Sequence, residues 1–492
     1  MILSKENISN IKAAPDLVIP SKEQLELPEK VLAFGTGVLL RGLPNYLIDK
    51  ANRKGIFNGR IVVVKSTDKG STDAFAAQDG LYTLCVKGIQ EGKPVDQKII
   101  NSAISRVVSA QTQWHQILAC AANEDIQVVI SNATEAGMKL VKEDRLNDNP
   151  PSSFPGKLLA FLFERYKVFH GSANSGLVIL PTELIPDNGK VLKNIILDLA
   201  LLNRCEQDFM DWLHDANEFC STLVDRIVPG ALPKEEHLKM QRYLGYEDDL
   251  MIMAEPYRLW AIETSRQRTR DILSFAQVDS SVILSRNINK HREIKLRLLN
   301  APHTLSCGMA LWCGLPTVKE AMANAAFRGF ISELMYHEIA PVISGSEITE
   351  EEARLFADNV LDRFANPNIA HEWLSISMQY TSKMAMRCVP LLLAHYKKST
   401  KFPRSMAMGF AAYMLFMKST EDKGFYTGKI HDQEYTINDD KAAILHQHWS
   451  RGELSKVVYA ILSDQGLWGT NLTELPEFKK GVLEAMELLN KK

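Results

Sequence analysis

The chain has 492 residues, 46% hydrophobic and 24% charged, with 57 Lys+Arg against 59 Asp+Glu and a formal net charge of −2. At roughly 100–200 residues per domain this suggests two to four domains with ample core, and the near-average composition excludes a collagen, a disordered tail protein and a coiled-coil rod. A balance so close to zero also argues against a sequence-blind nucleic-acid binder, which needs a basic surface excess.

The N-terminus, Met1-Ile2-Leu3-Ser4-Lys5-Glu6, meets charge at once and has no apolar signal core. Residues 1–30 are mixed and polar, punctuated by Pro15, Pro20 and Pro28, and read as an extension before the first domain. Val31-Leu32-Ala33-Phe34 is then a short apolar strand ending in Gly35-Thr36-Gly37. A helix is expected after it, with Leu39, Leu40, Leu43, Leu47 and Ile48 apolar. Ile61-Val62-Val63-Val64 is a second strand, continuous and β-branched, as a parallel strand buried on both faces should be. Further strands are expected at 127–130, 176–180 and 249–253, with helices over 114–122 and 158–169 between them. Strands alternating with helices predict a parallel α/β sheet.

The texture changes near residue 285. Beyond it the periodicity is helical, over 350–364 with Thr349 as N-cap, 369–389 and 405–417, with almost no strand-like runs. The expected organisation is therefore a dinucleotide-binding α/β domain over 1–285, Rossmann-like, and a mostly α-helical substrate and catalytic domain over 286–492. A bilayer span needs ~20 predominantly apolar residues. The uncharged run 298–318 is broken by Asn300, Pro302, His303, Thr304 and Ser306, and 405–417 is too short, so no membrane partner is expected. Seven cysteines, an odd number with no Cys-x-x-Cys pair, exclude a disulfide framework and a structural zinc site and suit a reduced cytoplasm.

Three features carry chemistry. The first is the strand–Gly35-x-Gly37–helix turn, which lets backbone approach a pyrophosphate. It departs from G-x-G-x-x-G, since Leu40 stands at the third position and the next glycine is Gly42; Lys65 and Asp68, rather than a single acid, follow the second strand. Lys65 would favour a 2′-phosphate and Asp68 a free 2′-hydroxyl. The second is Ser131-Asn132-Ala133-Thr134-Glu135-Ala136-Gly137, after a strand, where Asn132 and Thr134 either face a cofactor or cap a helix.

The third is Lys295-Leu296-Arg297-Leu298-Leu299-Asn300-Ala301-Pro302-His303. At ~100° per helical residue, His303 falls about 80° and Asn300 about 140° from Lys295, one broad and partly apolar face. Pro302 should kink the helix inside this group. A desolvated lysine can serve as the base that hydride transfer from an alcohol requires, Asn300 can donate to the developing oxyanion, and His303 can position it. The plain alternative is an amphipathic helix with a snorkelling lysine. No clustered Cys/His ligand set supports a zinc enzyme, so no metal is expected.

Together these pieces resemble the long-chain mannitol dehydrogenase family of polyol and sugar-acid oxidoreductases. Its lysine-x4-asparagine-x2-histidine hallmark stands here as Lys295, Asn300 and His303. The resemblance extends through Phe34-Gly35-x-Gly37 with Arg41, Gln78-Asp79-Gly80-Leu81-Tyr82-Thr83, Val224-Asp225-Arg226-Ile227, Glu255-Pro256-Tyr257-x-x-Trp260 and Arg363-Phe364-x-Asn366-Pro367-x-Ile369-x-His371. It implies catalysis by Lys295, Asn300 and His303, and NAD held by Phe34, Gly35, Gly37, Arg41, Asn132 and Thr134. Within the family, residues 131–137 and 180–189 fit best the branch that interconverts D-tagaturonate and D-altronate. Where mannitol and fructuronate enzymes carry Cys-Asp-Asn, this chain has Thr182-Glu183-Leu184, so their oxyanion-hole asparagine is replaced by Leu184. A uronate carboxylate needs a cation, and Lys383 and Arg387 lie four apart on one expected helix face, with Arg363 and His371 upstream. Substrate contacts are accordingly expected from Glu183, His371 and Lys383. Rival activities are fructuronate reduction to mannonate, oxidation of a neutral hexitol, or a nucleotide-binding regulator without catalysis. Members of the family often work as monomers; the sequence itself leaves the oligomeric state open.

Overall fold

The computed structural model describes all residues except Ala13, Asp68, Lys69, Thr134, Glu135, Ala136 and Lys492. The chain divides into two compact units, one of residues 1–87 and 94–288, the other of residues 88–93 and 289–492. The six residues 88–93 that count with the second unit are the tip of a hairpin between strands Tyr82–Gln90 and Lys93–Asn101.

The first unit is built on a six-stranded sheet. Its strands are β1 (Glu29–Phe34), β2 (Arg60–Lys65), β3 (Ile104–Ser109), β4 (Val128–Ser131), β5 (Val178–Pro181) and β6 (Glu218–Phe219). They lie in the order 3-2-1-4-5-6, every neighbouring pair parallel. That is the doubly wound dinucleotide-binding order, whose ligand crevice opens at the carboxyl ends of β1 and β4, where the order reverses.

The apolar runs explain the sheet. Val31, Ala33, Ile61, Val63, Val128 and Ile130 enter one core, while Leu32, Phe34, Val62, Val64 and Val129 enter another. Alternate side chains thus feed two cores, one per face, which is why no polar residue interrupts these strands. Each such side chain contributes about 1.5–3 kcal/mol on full burial.

Helix α1 (Val38–Gly42) and helix α2 (Pro44–Arg53) follow β1. The single helix expected through Leu39 to Ile48 is therefore two, because Pro44 disfavours helical geometry at Leu43, which adopts φ −128°. The expected helix over 158–169 starts earlier, at Phe154, where the Ser153 side chain accepts from the Gly156 N–H and Pro155 fits the first turn. The strand expected over 249–253 is Ile252–Ala254.

The second unit is helical around a single large core. Helix α3 (Ala301–Trp312) crosses helix α4 (Arg404–Phe416) at close range. A Cβ on Gly308 would lie 2.7 Å from the Ala412 carbonyl oxygen, and one on Gly409 2.8 Å from that of Leu305. The helix over Glu350–Phe364 carries the expected Thr349 cap, completed as a capping box by Glu352.

Two expectations fail in this unit. The expected helix over 369–389 is instead a short helix, Trp373–Ile376, and a separate one starting at Tyr380, with Gln379 at φ +53° between them. A three-stranded antiparallel sheet, Ser419–Asp422, Phe425–Ile430 and Gln433–Thr436, also stands where no strand was expected. No helix among the described residues is long and apolar enough to cross a membrane.

Candidate active site

Each unit carries one part of the expected site. In the first unit a cleft of about 440 Å³ opens at the carboxyl ends of β1, β2 and β4. Phe34, Gly35, Gly37, Ser66, Asn132 and Lys157 are among its walls. Gly35 has φ +130°, a conformation that favours glycine, and a Cβ there would press on Leu40 and the Asn132 carbonyl. Gly37 differs: a Cβ would meet nothing within 4 Å, so the missing side chain leaves open space on the cleft wall. Gly42 supplies the close packing of the missing third glycine, since a Cβ there would lie 2.7 Å from Val228.

Asn132 donates from Nδ2 to Thr182 Oγ1 at 3.1 Å, which fixes its side chain at the cleft edge. Thr134 and Asp68 lie outside the described residues. Arg41 is not among the residues lining the cleft; it donates to the Leu250 carbonyl at 2.7 Å and lies over the rings of Phe75 and Tyr82. Lys65 donates to the Thr67 carbonyl. Ser66, the next residue, keeps a buried hydroxyl without a hydrogen-bond partner among the described residues at the cleft wall. The opposite wall was not foreseen. There Asp144 accepts from Ser152 N–H at 2.8 Å and Ser153 N–H at 3.1 Å, and Lys157 donates to the Ser152 carbonyl at 2.8 Å. The only local signal for it is the Ser153-Phe154-Pro155-Gly156 helix start.

Glu183 is buried and accepts from the Ala133 N–H at 2.7 Å and from Ser131 Oγ at 3.2 Å. Burial pushes its carboxyl pKa up, opposed by these hydrogen bonds. Its carboxylate therefore holds the chain segment that carries Asn132. Leu184, at the position of the replaced asparagine, is 67% exposed.

In the second unit Lys295 ends helix Asn289–Lys295 and is followed by a π-helical turn, Leu296–Asn300, that leads into α3. Within it the Ala301 N–H bonds to the Leu296 carbonyl, five residues back. This turn is wider than the ~3.6 residues of an α-helix, so Lys295 and Asn300 come nearer to one face than the ~140° expected of an α-helix. The physical cause is Pro302, which lacks an N–H and would clash with the Leu298 carbonyl of an α-helix; a widened turn absorbs both defects where a kink was expected. The same device recurs among the described residues at Leu334–Ile339 before Pro341 and Met384–Cys388 before Pro390. The carbonyls of Met386 and Arg387 are taken by the Arg297 guanidinium at 3.1 and 2.8 Å, so the first π turn braces the third.

His303 stacks on Phe364 with ring centroids 4.0 Å apart and meets His371 and Trp373 edge-on at 5.5 and 5.9 Å. Burial, then repulsion from His371, Arg363 and Arg387, holds its pKa well below the ordinary 6.5. The one influence in the opposite direction is a hydrogen bond to the Leu299 backbone. His303 is thus held in its neutral form. His371 is lowered too, by burial and then by Lys383. Lys383 donates to the Ile376 carbonyl at 2.8 Å and is lowered by burial and then by Arg387. The structure thus groups His303, His371, Arg363, Lys383 and Arg387 around one end of α3. The Tyr380 hydroxyl anchors that end, donating to the Thr304 carbonyl at 2.8 Å and accepting from the Gly308 N–H at 3.0 Å.

The neutral His303 carries a stability prediction. The unfolded chain protonates it near pH 6.5 while the folded chain does so only well below, so its contribution is complete above pH 6.5 and is lost as pH falls below that value. Thermal unfolding of His303→Asn should show a shallower loss of midpoint between pH 6.5 and 5 than wild type. Equal slopes would mean that folded His303 is protonated in that range.

Residues 29–273 match the mannitol dehydrogenase Rossmann domain and residues 287–490 the mannitol dehydrogenase C-terminal domain. The chain is 36% identical over 476 residues to an altronate oxidoreductase of Halalkalibacterium halodurans, covering 95% of this chain and 92% of that one. It is 36% identical over 456 residues to an altronate oxidoreductase of Bacillus subtilis, covering 92% and 91%. One from Yersinia enterocolitica is 33% identical over 470 residues, covering 94% of each. Among solved structures, a substrate-free D-sorbitol dehydrogenase shares the fold at TM-score 0.81 and 20% identity, covering 100% and 98% of the two chains. Pseudomonas fluorescens mannitol 2-dehydrogenase, in a ternary complex with NAD and D-mannitol, shares it at TM-score 0.69 and 20% identity, covering 100% and 97%. With a nicotinamide-type crevice in one unit and the lysine–asparagine–histidine face in the other, this chain belongs to the mannitol dehydrogenase family.

Proposed function

We propose that this protein is a cytoplasmic oxidoreductase that interconverts D-tagaturonate and D-altronate with NAD. The observation that carries the reading is the π turn that draws Lys295 and Asn300 toward one face, beside a neutral His303, in a chain a third identical to altronate oxidoreductases along nearly its whole length.

A bound nicotinamide supplies the hydride. Phe34, Gly35, Gly37 and Asn132 form the crevice that would hold the cofactor, and the open space beyond the Gly37 Cα is where a pyrophosphate approaches backbone. Lys65 is committed to the Thr67 carbonyl, whereas the unpartnered Ser66 hydroxyl suits a ribose hydroxyl; both favour NAD over NADP. Arg41 acts behind the crevice by fixing α1, and Glu183 by holding the segment with Asn132.

In the reducing direction the keto carbon takes the hydride and its oxygen takes a proton, giving a secondary alcohol. Lys295 delivers that proton, and in the reverse direction removes it. Asn300, one turn on, donates its amide to the same oxygen as negative charge builds. His303, held neutral beside this turn, hydrogen-bonds a substrate hydroxyl and so sets the sugar's orientation. His371 and Lys383 flank it on the substrate side. Seven unpaired thiols suit a reducing compartment.

The test is a panel of D-tagaturonate, D-fructuronate and D-fructose with NADH and NADPH. Tagaturonate with NADH should give the highest kcat/KM. A higher value for either other ketose overturns the substrate assignment, and preference for NADPH overturns the cofactor assignment.

A further inference from the structure

Arg387 is half-buried, and its side chain makes one hydrogen bond among the described residues, from Nη1 to Thr304 Oγ1 at 3.2 Å. Thr304 Oγ1 donates in turn to the Asn300 carbonyl at 2.8 Å, which ties this guanidinium to the turn that carries the catalytic asparagine. Its Nε is buried with no hydrogen-bond partner among the described residues. A buried donor left unpaired carries its full desolvation cost, so an orphan in a site calls for a ligand. The Arg387 backbone is fixed as well, since its carbonyl accepts from Arg297 at 2.8 Å.

Charge points the same way. Arg387 and Arg363 both act on His303, and Arg387 acts on Lys383, which acts on His371. No carboxylate figures among the charges acting on Arg387, whereas Lys383 feels one, Asp439. A partly buried guanidinium is costly without a counter-ion. A guanidinium offers two edges. With Nη1 engaged by Thr304, the Nε–Nη2 edge remains, and it matches the two oxygens of a carboxylate. Lys383 is less suited, because its ammonium is already given to the Ile376 carbonyl.

We propose that Arg387 is the specificity residue that binds the substrate's carboxylate through its Nε–Nη2 edge, an inference that rests on a uronate being the substrate. Held there, the acid group sets the distance from the chain end to the keto carbon. Uronates are thereby separated from neutral ketoses by a fixed fork, which a net charge of −2 could not do at long range.

The experiment compares D-tagaturonate with D-tagatose, which differs by a hydroxymethyl in place of the carboxylate, in wild type, Arg387→Met and Arg387→Lys. Tagatose is read as kcat/KM where it turns over and otherwise as an inhibition constant against tagaturonate. Arg387→Met should raise KM for tagaturonate roughly ten- to a hundredfold, leave tagatose within about twofold, and leave NADH affinity unchanged. Arg387→Lys should recover part of the loss, since it keeps the charge but not the fork. Equal losses on both ketoses in the lysine variant, or a fall in kcat with KM intact, would overturn the assignment. Failure of wild type to reduce tagaturonate would instead overturn the proposed function.

Discussion

Replacing Lys295 by alanine is expected to lower kcat for tagaturonate reduction by about 10²- to 10⁴-fold, the range for loss of a positioned acid–base group. The direction follows from the π turn: Asn300 remains to hold the oxygen, but no group beside it exchanges the proton. Binding of NADH, followed by fluorescence, should stay at the wild-type value, because the crevice lies in the other unit. The fold should hold too. The apolar anchors of this stretch are Ile294, Leu298 and Leu299, none of them altered. Partial recovery on adding a small primary amine would show that the missing part is the amine itself. A Lys295→Ala enzyme as fast as wild type would remove the lysine from the reaction.

What the sequence made legible follows from locality. Strands buried on both faces announce themselves as unbroken β-branched runs, so β1, β2, β4 and β5 were readable from a few residues each. The Thr349–Glu352 box was equally local. The sheet over 419–436 was not, because its strands are largely exposed and polar, Ser-Thr-Glu-Asp in the first, and show no apolar alternation. A signal for it did exist in the turn at Lys423-Gly424, both with positive φ.

The proposed catalytic trio was visible as spacing, but its geometry was not. Helical periodicity assumes 3.6 residues per turn, and the widened turn before Pro302 breaks that assumption at the site itself. Contacts across long separations were out of reach: nothing in the sequence connects Arg297 with the carbonyls of Met386 and Arg387, or the Gly35–Gly37 turn with the wall at Ser152–Lys157.

The π turn itself yields a second large expected effect, in Pro302→Ala. Alanine restores an N–H and removes the ring that excludes the Leu298 carbonyl, so an α-helical path over 296–300 regains its missing bond. Proline inside a helix costs roughly 3 kcal/mol, while alanine's freer unfolded chain returns about 0.4–1 kcal/mol of that gain. The variant should therefore unfold at or above the wild-type midpoint. Activity should move the other way. On an α-helical path Asn300 swings away from the face it shares with Lys295, to about 140° around the helix, and kcat should fall roughly ten- to a hundredfold, about the cost of one misplaced oxyanion donor. A stability gain with a rate loss distinguishes this account from damage to packing, which would lower both. A double-mutant cycle sharpens it: on an Asn300→Ala background Pro302→Ala should cost little further rate, because the donor it would misplace is already gone. Full additivity of the two losses, or wild-type activity in Pro302→Ala, would mean that the widened turn serves the fold of α3 alone and that catalysis is indifferent to it.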